Sequence, residues 1–102
     1  MKSLKDKKVI DRLFSEGEKI YTPTINAKFI SGNPEVMVSA PIRLFKRAVD
    51  RNRVKRLIKE SLKDKVNTEF SIALIYNLDK IESLDVIKKD IDKIFNNLKL
   101  SQ

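Results

Sequence analysis

Apolar residues recur at helical spacing near the start of the chain, at Val9, Ile10, Leu13 and Phe14. Asp6 stands ahead of them, a side chain suited to accept from the free N–H groups of a first helical turn. The spacing predicts a helix from about Lys7 to Glu16, closed by Gly17 in a left-handed conformation. Ile20-Tyr21 starts a strand ahead of Pro23. The period then changes. Ile25, Ala27 and Phe29 alternate with polar positions and predict a strand over Ile25 to Ile30. Ser31-Gly-Asn-Pro34 reads as a turn. Val36 to Ala40 reads as a further strand, ended by Pro41. The short connection predicts that these two strands pair as an antiparallel hairpin.

Helical spacing returns over about Phe45 to Lys63. Val54, Leu57, Ile58, Ser61 and Leu62 share one face, and basic residues spread over the other. Phe70 to Tyr76 is a nearly unbroken apolar run, as expected of a strand buried on both sides. Asn77 to Lys80 is a loop. Ser83 is placed to cap a last helix with a core stripe at Ile87, Ile91, Ile94, Phe95 and Leu98. No repeat, linker or low-complexity stretch interrupts the series. The reading is one α+β domain over residues 1–102, with helices packed on a small sheet.

Composition narrows the chemistry. A chain of 102 residues supports one modest core. It has no cysteine and no histidine, which excludes disulfides, thiolate metal sites and Ser-His triads. The acidic residues are scattered, without the clustered carboxylates of a metal-dependent nuclease. We therefore expect no catalytic residue and no metal ligand. No apolar run is long enough to span a bilayer, and the first residues lack the apolar core of a signal peptide. The expectation is a cytoplasmic protein with no membrane partner.

Charge placement changes the picture most. Net charge is +8. Residues 43–65 hold ten basic and three acidic side chains, and the rest of the chain holds twelve and eleven. Five of the six arginines lie between Arg43 and Arg56, although sixteen lysines serve the chain as a whole. Charge alone does not explain that segregation. Guanidinium adds a planar fork of donors that grips phosphate or a base edge in two places. A polyanion, nucleic acid above all, is the natural partner of this segment. Strands flank the basic helix on both sides, so it lacks the second helix of a helix-turn-helix reader, which argues against DNA.

The stretch Ala48-Val-Asp-Arg51-Asn52-Arg53-Val54-Lys55-Arg56-Leu57-Ile58-Lys59-Glu60 resembles the Arg-Asn-Arg signature of the bacterial ribonuclease P protein component. The flanks agree. Leu4 to Gly17 is similar to that family's first helix, Phe70 to Tyr76 to its last strand, and Leu84 to Leu98 to its last helix. The resemblance implies an α-β-β-β-α-β-α sandwich with a left-handed βαβ crossover, a fold shared with the second domain of a ribosomal protein. It implies an accessory protein subunit that binds a large catalytic RNA. The complex cleaves the 5′ leader from precursor tRNA, and Mg²⁺ is bound mainly by the RNA. No DNA and no small-molecule substrate is implied.

The RNA-binding set is then Arg43, Lys46, Arg47, Arg51, Asn52, Arg53, Lys55, Arg56 and Lys59. The leader cleft, between the first helix and the sheet, would use Ile10, Phe14, Lys28 and Phe29. Phe14 and Phe29 suit either base stacking or core packing. Tyr21 and Tyr76 read as structural. The chain departs from the family in four places, the first being the pair of lysines usual ahead of Arg-Asn-Arg, of which only Arg43 keeps a basic group. Lys46 stands where the family has glycine, Ile10 where it often has an aromatic, and Lys28 where it often has tyrosine. The alternative is a ribosomal-type RNA-binding module with no catalytic RNA partner.

Overall fold

Asp6 opens the first helix as its spacing predicts. In the computed structural model, which describes residues 2–65 and 69–100, the Asp6 carboxylate accepts from the Lys8 N–H at 2.9 Å. Helix α1 runs Lys7–Glu16. Gly17 ends it, but in extended backbone, φ −64° and ψ 146°. The glycine is needed for space rather than handedness. A Cβ there would lie 2.3 Å from the Leu13 carbonyl oxygen and 3.2 Å from that of Phe29. Gly17→Ala must therefore open the Gly17 N–H to Leu13 carbonyl bond that closes α1. We expect a loss of about 1–3 kcal/mol, as for other forced overpacking, read by denaturant unfolding.

The strands are β1 (Lys2–Ser3), β2 (Glu18–Tyr21), β3 (Ile25–Ser31), β4 (Glu35–Ser39) and β5 (Phe70–Tyr76). They form one mixed sheet in the order β1-β4-β5-β3-β2. The expected hairpin of β3 with β4 does not form. β5 lies between them, antiparallel to β3 and parallel to β4. A three-residue connection reaches a strand one place away or two, since its extended span exceeds twice the strand spacing of about 4.8 Å. The apolar content of β5 decides the matter. A strand buried on both faces belongs at the centre. The turn is tied to the entry of β5 by the Gly32 N–H to Glu69 carbonyl bond and by Ser71 Oγ donating to the Asn33 carbonyl.

Helix α2 is Ala48–Ser61 and α3 is Leu84–Leu100. The order helix, three strands, helix, strand, helix stands, with the two-residue β1 added on the outer edge of β4. α2 joins the parallel neighbours β4 and β5. It starts three residues later than its periodicity predicts. Phe45 is drawn into the core, its ring centroid 5.9 Å from that of Tyr76. The chain at 41–45 turns on the Pro41 carbonyl to allow this.

The sheet is covered on both faces. α2 and α3 pack on one, over Ile25, Ala27, Phe29, Ile72, Leu74 and Tyr76. α1 packs on the other, where Leu4, Leu13 and Ala73 form a second, smaller core. Tyr76 is fully buried, and its hydroxyl donates to the Lys80 carbonyl and accepts from the Glu82 N–H. Burial pushes the phenol above its ordinary pKa. No helix among the described residues is long and apolar enough to cross a membrane.

Candidate nucleic-acid interface

The sequence of α2 divides it. Val54, Ile58 and Ser61 are buried, and Leu57 packs against the same core. Asn52, Arg53, Arg56 and Lys59 are exposed, and Lys55 is half-buried. Asn52, Arg56 and Lys59 are spaced four and three apart, so they form one ridge on the outer face. Arg43, Lys46 and Arg47 are exposed on the segment that leads into the helix. All nine predicted residues thus stand on the surface around one helix or reach it in part, and the ninth also has an internal task.

That ninth residue is Arg51. Its Nη1 donates to the carbonyls of Phe45 and Lys46, each at 2.9 Å. It clasps the segment that carries Lys46 and Arg47 against the start of α2. The helix needs this clasp because its N-cap, Arg47, makes no side-chain capping bond. Arg51→Ala leaves two carbonyls without their donor. We expect a stability loss of about 1–3 kcal/mol. Arg53→Ala, on an exposed position, should stay within about 0.5 kcal/mol. Both should weaken RNA binding. Thermal melting and an RNA titration on the same two proteins check this.

The acidic residues of α2 neutralise little of the charge. Asp50 lies 4.0 Å from Arg47, and Glu60 pairs with Lys63 at 2.9 Å. Among the described residues Arg43, Lys46, Arg53, Lys55, Arg56 and Lys59 have no ion pair. Their field is therefore directed outward, toward a polyanion.

The other face of the sheet brings a second group together. Phe14 is 39 % exposed on α1, and the Lys28 ammonium sits 4.6 Å from its ring centroid. Ile10 is half-buried and packs on the small core beneath them. Phe29 does not join this group. Strand alternation turns it to the opposite face, where it is 4 % exposed and meets Phe70 edge-on at 5.2 Å. Of its two readings, core packing holds, because Ile25, Ala27 and Phe29 share the α2–α3 side of β3.

Two residues of this face were missed. Lys19 stands directly opposite Lys28 across β2 and β3, and Tyr21 stands opposite Asn26. Tyr21 is 65 % exposed, so its structural reading is wrong. Alternation around Ile20, which packs on the main core, would have placed both on the α1 side. Asn26 is held there by the Asn77 side-chain amide, at 2.8 Å. Like charges at directly opposed positions destabilise a strand pair, so Lys19 and Lys28 gain from an anion between them.

Among the described residues no group of three or more acidic side chains is arranged to hold a metal ion.

Comparison with known proteins decides the family. A family model described as ribonuclease P matches residues 1–99. The chain belongs to the ribonuclease P family. A curated ribonuclease P protein component from Nitrosococcus oceani is 33 % identical over 57 residues, which cover 53 % of this chain and 48 % of that protein. The matched stretch thus spans about half the length of its curated relative. Solved structures of the family share the fold at lower identity. A mutant Staphylococcus aureus RNase P protein with defective mRNA degradation activity superposes with a TM-score of 0.80 at 19 % identity, over 95 % of this chain and 87 % of that one. RNase P protein from Thermotoga maritima superposes with a TM-score of 0.76 at 17 % identity, over 97 % and 96 % of the two chains.

Proposed function

We propose that this chain is the protein subunit of a ribonuclease P in the cytoplasm. It binds a catalytic RNA and the 5′ leader of precursor tRNA, and it assists removal of the leader. The observation that carries the reading is the outer face of α2, where the Arg-Asn-Arg motif opens a basic ridge with few internal partners. The two faces of the sheet divide the work. α2 and the segment 41–47 hold the catalytic RNA, mostly through phosphates, which fix orientation more than sequence. The α1 side takes the leader. Phe14 offers a ring for a base, while Lys28 and Lys19 bracket the backbone. Cleavage and its Mg²⁺ belong to the RNA. The protein's cations lower the repulsion between the RNA and its substrate, so its effect is greatest where Mg²⁺ is scarce.

Reconstitution tests this. The chain and its cognate RNA together should cleave precursor tRNA at low Mg²⁺, where neither does so alone. Cleavage by the protein without RNA would overturn the reading. So would tight RNA binding that leaves precursor cleavage unchanged, which is the outcome for an RNA-binding module with no catalytic partner.

The leader site makes its own prediction. Phe14→Ala removes a half-exposed ring, so its stability loss should fall well below the roughly 3–5 kcal/mol of a buried phenylalanine. Stacking on one base is worth roughly 1–3 kcal/mol, so the precursor-to-mature affinity ratio should fall about fivefold or more. Lys28→Ala should lower the same ratio. The double variant should lose less than the two singles combined, because the ammonium and the ring touch. Holoenzyme titrations with the two tRNAs read all three.

A further inference from the structure

A groove of about 510 Å³ lies between α2 and the β1–β4 edge of the sheet. No function above uses it as a site. Its size suits a small ligand. Leu62, nearly buried, and the half-buried Val36 and Val38 give it an apolar floor, and the Leu4 backbone borders it at the β1 end. Its rim carries Lys55 and Lys59 from successive turns of α2 and Lys63 from the turn that follows it, with Lys5 from the segment after β1. Among the described residues no carboxylate lines it. Lys63 pairs with Glu60, but Lys5, Lys55 and Lys59 have no ion pair among the described residues.

The strand edge adds a further feature. β1 pairs with β4 only through Glu35 and Val36, and the Leu4 N–H then donates to the Val36 carbonyl at 2.8 Å. Alternate residues of a strand turn their N–H and C=O to the same side. Val38 therefore presents both groups toward the groove, where β4 has no neighbouring strand among the described residues. The open edge ends at Pro41, which has no N–H to give. So short an edge does not hold an added peptide strand. It does match the donor and acceptor of one base edge.

We infer that this groove seats one unstacked nucleotide of the partner RNA. Its base lies on the floor of Leu62, Val36 and Val38 against the Val38 backbone, and its phosphates lie on the lysine rim. Lysine suits this place, since a compact ammonium follows a flexible phosphate, whereas the arginines of α2 stand outside the groove. The inference rests on the RNA-binding reading above.

The test uses the whole chain, adenosine monophosphate and inorganic phosphate as probes, and backbone amide NMR as readout. Millimolar nucleotide should shift the amides of Leu4, Val36, Met37, Val38 and Leu62, and phosphate alone should not. The double variant Lys5→Glu, Lys59→Glu should lose these shifts and bind the partner RNA about tenfold more weakly or worse. The double variant Arg53→Glu, Arg56→Glu should keep the shifts, although it too binds RNA weakly. Equal shifts from phosphate and nucleotide would reduce the groove to an anion site and overturn the base seat. Absent shifts in a protein that binds its RNA tightly would overturn the groove alone. A wild-type chain that does not bind RNA would remove the RNA-binding reading, and the groove with it. The wild-type titration decides the groove even if a charge-reversed variant fails to fold.

Discussion

Raising monovalent salt from about 50 to about 200 mM should weaken RNA binding by roughly 250-fold on a single strand, and by more than 10³-fold on a duplex. The figure comes from the cations on and before α2. Arg43, Lys46, Arg53, Lys55, Arg56 and Lys59 reach the surface, at least in part, with no ion pair among the described residues. Six neutralised phosphates give a log–log slope of about −4 on a single strand and about −5 on a duplex. Arg47 and Lys63 are left out because Asp50 and Glu60 lie beside them. That exclusion is testable as well. Glu60→Gln frees Lys63 and should steepen the slope by about 0.7–0.9. The measurement is a titration with the cognate RNA at four or five salt concentrations. A slope near zero would sink the electrostatic account. An unchanged slope for Glu60→Gln would place Lys63 away from the RNA.

Asp90→Ala should lower stability by about 3 kcal/mol. In a domain of this size that is a fall in Tm of roughly 10–20 °C. Asp90 is only 4 % exposed, and one carboxylate oxygen accepts from both the Thr24 N–H, at 3.0 Å, and the Thr24 hydroxyl, at 2.6 Å. These bonds fasten α3 to the end of the β2–β3 pair. Thr24 is itself buried, so removing the carboxylate leaves an N–H with neither protein nor water to accept it. Asp90→Asn keeps an acceptor and should lose about half as much. Thr24→Val with Asp90→Ala should cost little more than Asp90→Ala alone, since both remove the same contact. For contrast, Glu16→Ala breaks an exposed pair with Arg12 and should stay within about 0.5 kcal/mol. Below the lowered Tm, RNA affinity should be unchanged in all four proteins. A small loss for Asp90→Ala would show that water reaches Thr24.

The sequence made some of this legible and hid the rest for physical reasons. The helices were readable because each carries its own signal, as Asp6 does for α1 and the Ile87–Leu98 stripe does for α3. The order of strands was not. β3 and β4 each show an apolar period, but neither names its neighbour, and the connection fits either arrangement. β1 was missed because two residues, Lys2 and Ser3, show no period. The motif placed the basic residues of α2 around one helix, yet gave no sign that Arg51 would turn inward to two carbonyls. Such a contact depends on the turn that buries Phe45. Phe14 and Phe29 were indistinguishable as phenylalanines in amphipathic elements, and their opposite fates follow from which face of the sheet each meets.

The place of β5 bears on how the chain folds as it is made. β3 and β4 are synthesised early, but the strand that joins them is complete only when Tyr76 has emerged. Until then the sheet is two separate pieces, and α2 has neither β5 nor α3 to pack against. The pairing that closes the sheet spans about forty residues of chain, so it forms late and slowly relative to local helix formation. During that interval the basic segment of α2 is already available to a polyanion, while the apolar residues that it will bury are uncovered. A nascent chain of this design meets RNA before it has a core, and a ribosome is the first RNA it meets.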